Sequence, residues 1–175
     1  MVHRFALLQY WTENTMEHII HTFEPVFDDR SRILILGSLP SVKSREQGFY
    51  YGHPQNRFWK LIAELTSENF PDSVEMKKTL LLKHHIALWD VAASCDIEGS
   101  SDASIRNVVP NDINIILSYA PIERIYANGT TAGKLYQKLL HPITNRQAIT
   151  LPSTSPANAA CSYIHLKEVW KQILS

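Results

Sequence analysis

Four consecutive aliphatic residues, Ile33 to Leu36, stand between Arg32 and Gly37. A run that short and that apolar predicts a strand buried on both faces, and such strands belong to parallel sheets covered on both sides. Directly after it, Gly37, Ser38, Leu39, Pro40 and Ser41 forbid further pleating and force a tight loop. Open parallel sheets bind their ligands at that end of the strands. An aromatic loop follows, Gly48, Phe49, Tyr50, Tyr51, Gly52 and His53. Pro54 then suits the first position of a helix over about 54–66, with Phe58, Ile62 and Leu65 at helical spacing.

The rest of the chain repeats the theme. Strands are predicted over Ile86–Val91, Ile122–Ala127 and Ala148–Leu151. Helices are predicted from the N-cap candidate Ser73 to about His84, from Pro110 or Asn111 through Ala120, over Thr130–Leu140, and over Pro156–Leu174. Met16, Ile19, Ile20 and Phe23 suggest a further helix over Thr15–Phe23, so residues 1–31 read as an N-terminal helical extension. Ala92–Pro110 reads as a long polar segment, weakly helical near 102–106. Alternating strands and helices argue for one α/β domain over 1–175. Gly37–Ser41, Asn128–Gly129 and Pro152–Pro156 each follow a strand, so all three loops are expected at one edge of the sheet.

Hydrophobic residues make up 45% and charged residues 19% of the 175, which excludes a disordered chain. No apolar run approaches the roughly 20 residues of a membrane span, and the N-terminus lacks a signal-peptide cleavage pattern. Cys95 and Cys161 are too few and too isolated for a metal or cluster framework and fit buried free thiols in a reducing compartment. A cytoplasmic protein is therefore expected, near the nucleoid in a prokaryote. Net charge is zero, yet no Asp or Glu occurs from Arg124 to Lys167, and only Glu46 from Lys43 to Lys60. If these two segments share a face, that face can meet a polyanion; the alternative is chance clustering on a solvated surface.

Taken together, GSLPS, GFYYGHPQNRFWK, ANGTTA and LPSTSPANA resemble the uracil-DNA glycosylase superfamily. The region of the first strand and HPQNRFW is similar to the mismatch-specific uracil glycosylase branch. The set as a whole looks most like the hypoxanthine (deoxyinosine) glycosylase branch, family six, over residues 32–170. The resemblance implies a three-layer α/β/α sandwich around a central, mainly parallel four-stranded sheet. It also implies monofunctional base excision with no metal, no cofactor and no covalent intermediate. The expected partner is double- or single-stranded DNA carrying hypoxanthine, uracil or xanthine, bound by a monomer, with no membrane involved.

Cleaving an N-glycosidic bond needs a base held out of the stack, a stabilised leaving group and a placed water. Tyr51 matches the aromatic residue on which the flipped base stacks, the alternative being a core or rim aromatic. In the mismatch branch an Asn two residues past the strand glycine holds the water; here that position is Leu39, which cannot orient one. The resemblance moves the role to Asn56, the alternative being a structural amide between loop and helix. Asn128 is assigned to base recognition, or else to an ordinary Asn-Gly turn. Ser38, Leu39 and Phe49 complete the expected base pocket.

Ser153, Thr154, Ser155, Pro156 and Asn158 are expected to form a second jaw on the DNA backbone, with a plain N-cap before Pro156 as the alternative. His53 either contacts base or phosphate or locks its loop. The rivals are a mismatch-specific G:U/G:T glycosylase, a serine-type hydrolase using Ser38, a nucleotide-binding module, and a DNA-binding protein without catalysis. The chain lacks GxSxG, GxGxxG and GxxxxGK[ST], which weighs against the hydrolase and the nucleotide module.

Overall fold

The computed structural model describes residues 15–175. In chain order the elements are β1 (Met16–Ile20), β2 (Ile33–Gly37), α1 (Val42–Gln47), α2 (Phe58–Leu65), α3 (Val74–Lys83) and β3 (Ile86–Asp90). There follow β4 (Ala92–Glu98), β5 (Arg106–Pro110), α4 (Asn114–Leu117), β6 (Arg124–Asn128), α5 (Thr130–Leu135), α6 (His141–Thr144), β7 (Ala148–Leu151) and α7 (Tyr163–Trp170). A single π-helical stretch, Tyr136–Leu140, joins α5 to α6.

The central sheet has the order β3-β2-β6-β7 and all its pairings are parallel. Every residue of β2 and β3 is buried, as continuous aliphatic strands require when helices lie around the sheet. The core gathers Leu34, Ile35, Leu36, Leu61, Ile62, Leu81, Leu88 and Tyr126, all fully buried. Each such aliphatic side chain contributes about 1.5–3 kcal/mol on leaving water. Trp170 is likewise sealed, and its indole N–H donates to Pro152 O at 2.9 Å, pinning α7 to the end of β7. The expected mainly parallel four-stranded sheet is thus present.

Four expectations require correction. Thr15–Phe23 is not helical: Met16–Ile20 forms β1, antiparallel to β4, with Ile19 opposite Cys95. The spacing 16, 19, 20, 23 fits a helix, but a β-branched pair beside an available strand edge satisfies the backbone better across the sheet. The supposed polar segment 92–110 is a strand pair, β4 and β5, joined by a short 3₁₀ turn at Asp102–Ser104. The small sheet β1-β4-β5 buries only Ile19, Cys95 and Ile97 as its own cluster, so its alternating, mostly polar sequence concealed it. The helix expected from Pro54 starts at Phe58, after a turn at His53–Gln55. The last helix starts at Tyr163 rather than Pro156, with the Ser162 side chain accepting from His165 N. The carbonyls of 153–161 are occupied elsewhere, as described below.

The Ser73 cap is as expected: its hydroxyl accepts from Met76 N at 3.1 Å. Ser73→Ala is expected to cost about 1 kcal/mol and lower the melting temperature by roughly 2–4 °C, measured by thermal unfolding.

Candidate active site

Because the central strands are parallel, their carboxyl ends share an edge. Gly37 pairs with Asp90, and Asn128 with Leu151. Above that edge lies a hollow of about 1080 Å³ lined by Gly37, Ser38, Leu39, Tyr51, His53, Asn56, Asp90, Asn128 and the 152–158 loop. Ligand pockets span roughly 300–1,000 Å³, so this one admits a nucleotide with adjoining backbone.

Tyr51 is half-buried in a left-handed backbone conformation, φ 53°. Such a conformation costs a non-glycine residue about 1–3 kcal/mol and persists only where surroundings impose it. Phe58 packs on its ring at 4.1 Å between centroids, so a planar guest is left the other side. The Tyr51 hydroxyl is buried without a hydrogen-bond partner among the described residues. Burial first, and then the Asp90 carboxylate, raise its pKa far above the ordinary value, so it remains a neutral donor.

Asn56 follows the turn, and its side-chain oxygen accepts from Phe58 N at 2.9 Å. That bond is the loop-to-helix tie weighed above, but it uses only the carbonyl. The amide hydrogens remain as donors toward the hollow that Asn56 lines. Asn128, 9% exposed, faces the 152–158 loop: its oxygen accepts from Thr154 N at 3.0 Å and its amide donates to Thr154 Oγ1 at 2.9 Å. One lone pair and one hydrogen are left for a base edge.

The other assigned residues divide. Ser38 lines the hollow; Leu39 does too, while packing on the small sheet's cluster. Phe49 does not join them: it is 4% exposed, and its ring stacks on Trp59 at 5.9 Å. His53 Nδ1 accepts from Gln55 N at 3.1 Å, the loop-locking arrangement. Ser153 Oγ accepts from Ser155 N, and Ser155 Oγ from Ala157 N, so these amides turn the loop on itself. With no helix starting at Pro156, the anion-binding helix terminus expected there is absent. Asn158 Nδ2 closes the loop onto Ser153 O at 3.0 Å.

Arg57 escaped the sequence reading. Its guanidinium reaches five carbonyls of the second jaw: Ser153 at 3.3 Å, Thr154 at 3.4 Å, Ser155 at 3.2 Å, Asn158 at 3.1 Å and Cys161 at 2.6 Å. Two of these carbonyls also close local turns, Ser155 O accepting from Asn158 N and Asn158 O from Cys161 N, and α7 begins only after the Ser162 cap. Only contacts about a hundred residues apart reveal this role. Asp90 was also missed, although an acid closing the apolar strand IALW was a visible signal.

Several basic residues of the two acid-poor segments are spent on internal partners. Lys43 pairs with Glu46, Arg45 with Glu17 and Lys167 with Glu64. Arg146 donates to Ile122 O. Among the described residues no group of three or more His, Cys, Asp or Glu is placed to hold a metal ion, and no helix is long and apolar enough to cross a membrane.

The family model of the uracil DNA glycosylase superfamily matches residues 24–174. A hypoxanthine DNA glycosylase of Methanosarcina acetivorans is 41% identical over 138 residues, 78% of this chain and 86% of that protein. One from Methanosarcina barkeri is 36% identical over 139 residues, with the same coverage. A solution NMR structure from Methanosarcina acetivorans, described as a candidate uracil DNA glycosylase, superposes with a TM-score of 0.73 at 35% identity, over 87% of this chain and 97% of that one.

Proposed function

This chain belongs to the uracil DNA glycosylase superfamily, and from that premise we propose that it is a monofunctional DNA glycosylase that excises hypoxanthine from DNA, with uracil and xanthine as further substrates. The observation that carries the reading is the convergence of Tyr51, Asn56 and Asn128 on one hollow at the carboxyl edge of the sheet. A flipped base slides onto the free side of the Tyr51 ring, where stacking contributes about 1–3 kcal/mol whatever the base. The remaining donor and acceptor of Asn128 meet the donor–acceptor edge that a deaminated purine presents. Asn56 holds a water through its amide hydrogens and aims it at the sugar carbon. The 153–158 loop, tied down by Arg57, backs the flipped nucleotide on its DNA strand. The protein acts as a monomer on double- or single-stranded DNA in the cytoplasm.

A serine-type hydrolase is disfavoured because His53 is committed to its own loop and the chain lacks a GxSxG elbow. The test is incubation with single- and double-stranded oligonucleotides bearing inosine, uracil or xanthine, followed by alkaline cleavage at abasic sites. Asn56→Ala is expected to lower the excision rate roughly 100-fold, the scale of losing one preorganised polar group, while DNA affinity stays near parental. Excision at the parental rate would remove Asn56 from the mechanism.

A further inference from the structure

His21 and Asp90 meet at the floor of the hollow, Nε2 to Oδ2 at 2.8 Å, with side chains only 3% and 4% exposed. Burying a carboxylate is expensive, and apolar residues of similar volume often serve packing as well or better. Ile86–Trp89, the rest of β3, are apolar, so packing alone gives no reason for an acid at the strand's last position. The pair is also rigid. The His21 ring packs in a cluster with Phe23, 4.4 Å away, and Tyr50, 5.9 Å away, centroid to centroid. With Oδ2 held by His21, the other oxygen stands directly over the Gly37 α-carbon: a β-carbon there would lie 2.2 Å from Asp90 Oδ1 and 3.1 Å from Tyr51 Oη. A carboxylate oxygen and an unpartnered phenol thus crowd the one position on β2 that carries no side chain, and both residues line the hollow.

We propose that Asp90 is a catalytic residue of the excision reaction, with His21 as the positioning residue that fixes its carboxylate. The inference rests on the glycosylase reading and supplies what that reading lacks. Asn56 can orient a water, but an amide does not accept its proton. In the step, the bond between the sugar C1′ and the base nitrogen breaks, and its electron pair leaves on the base. The water oxygen bonds to C1′. One water proton passes to Asp90 Oδ1, and from there to the departing base or solvent; the other stays as the new hydroxyl. The same negative oxygen faces the positive charge that builds on the sugar.

The test is single-turnover release of hypoxanthine from an inosine-containing oligonucleotide, with affinity for that oligonucleotide measured alongside. Asp90→Asn keeps size and hydrogen-bonding capacity and removes the proton acceptor. It is expected to slow release about 100-fold or more per folded protein, with affinity changed less than about threefold. A variant within twofold of the parental rate overturns the proposal. Should Asp90→Asn fail to fold, Asp90→Glu keeps the charge for His21 but moves the oxygen by one methylene. A loss of at least about tenfold is then expected, and an unchanged rate overturns the proposal. An active parent with an unimpaired variant sinks this inference alone. A parent that releases no base sinks the glycosylase reading and this inference with it.

Discussion

Gly37→Ala is expected to cut excision about 1000-fold and to lower the melting temperature by roughly 5–15 °C. The new methyl group would sit 2.2 Å from Asp90 Oδ1, well inside contact distance. Asp90 cannot swing aside, because its carboxylate is buried and clasped by His21. Gly37 cannot retreat either, since its carbonyl accepts from Val91 N at 2.8 Å within the sheet edge. Something in the pair must break, and leaving a buried carboxylate without its partner costs about 3–5 kcal/mol. The reduced freedom of the unfolded chain returns only about 0.4–1 kcal/mol. For a chain of this size each kcal/mol is worth roughly 2–4 °C. The loss of rate follows because Asp90, Tyr51 and Gly37 meet at one point, so one methyl group displaces both functional oxygens. Thermal unfolding and single-turnover release on an inosine oligonucleotide check both halves. A melting temperature within about 2 °C of parental would mean that the Asp90 side chain has room the structure does not give it.

Arg57→Met is expected to damage the protein almost as much, by a different route. The stem is retained, so packing survives, but five carbonyls between Ser153 and Cys161 lose the guanidinium, and Cys161 O keeps no other donor among the described residues. Hydrogen bonds to a charged group contribute about 1.5–3 kcal/mol each, although the loop lies where water can replace part of that. A net loss of about 2–4 kcal/mol is expected. The loop would also release Thr154, which holds both ends of the Asn128 amide, so base recognition suffers with it. Excision should fall at least about 100-fold. Arg57→Lys should recover little, because an ammonium point charge cannot reproduce the planar fork that serves carbonyls from several directions. Near-parental activity in the lysine variant would show that charge, rather than geometry, holds the jaw.

Parts of this molecule were legible in the order of residues and parts were not. β2 and β3 were readable because burial on both faces demands near-continuous apolar runs, β6 and β7 from shorter apolar stretches, and their loops announced themselves through glycine, proline and asparagine. Tyr51, Asn56 and Asn128 were expected from the motifs GFYYGHPQNRFWK and ANGTTA, and all three line the hollow. The small sheet could not: its own apolar cluster has only three buried members and the rest of its sequence is mostly polar, so its pattern is that of a polar loop. Phe49 and Tyr51 look alike in sequence, yet one ring lies against Trp59 in the core and the other beside the hollow. The turns that precede α7 meet the Arg57 guanidinium, about a hundred residues away, a contact no local pattern announces.

What the amino-acid order determined alone was a parallel α/β framework whose loops gather at one edge, since that depends on local hydrophobic runs and turn chemistry. What tertiary structure decided was which polar atoms meet there: Asp90 over Gly37 through the β2–β3 register, His21 brought in from behind a strand of the other sheet, and Arg57 beneath the far jaw. Those encounters join segments far apart in the chain, and only closure of the whole fold fixes the distances between them.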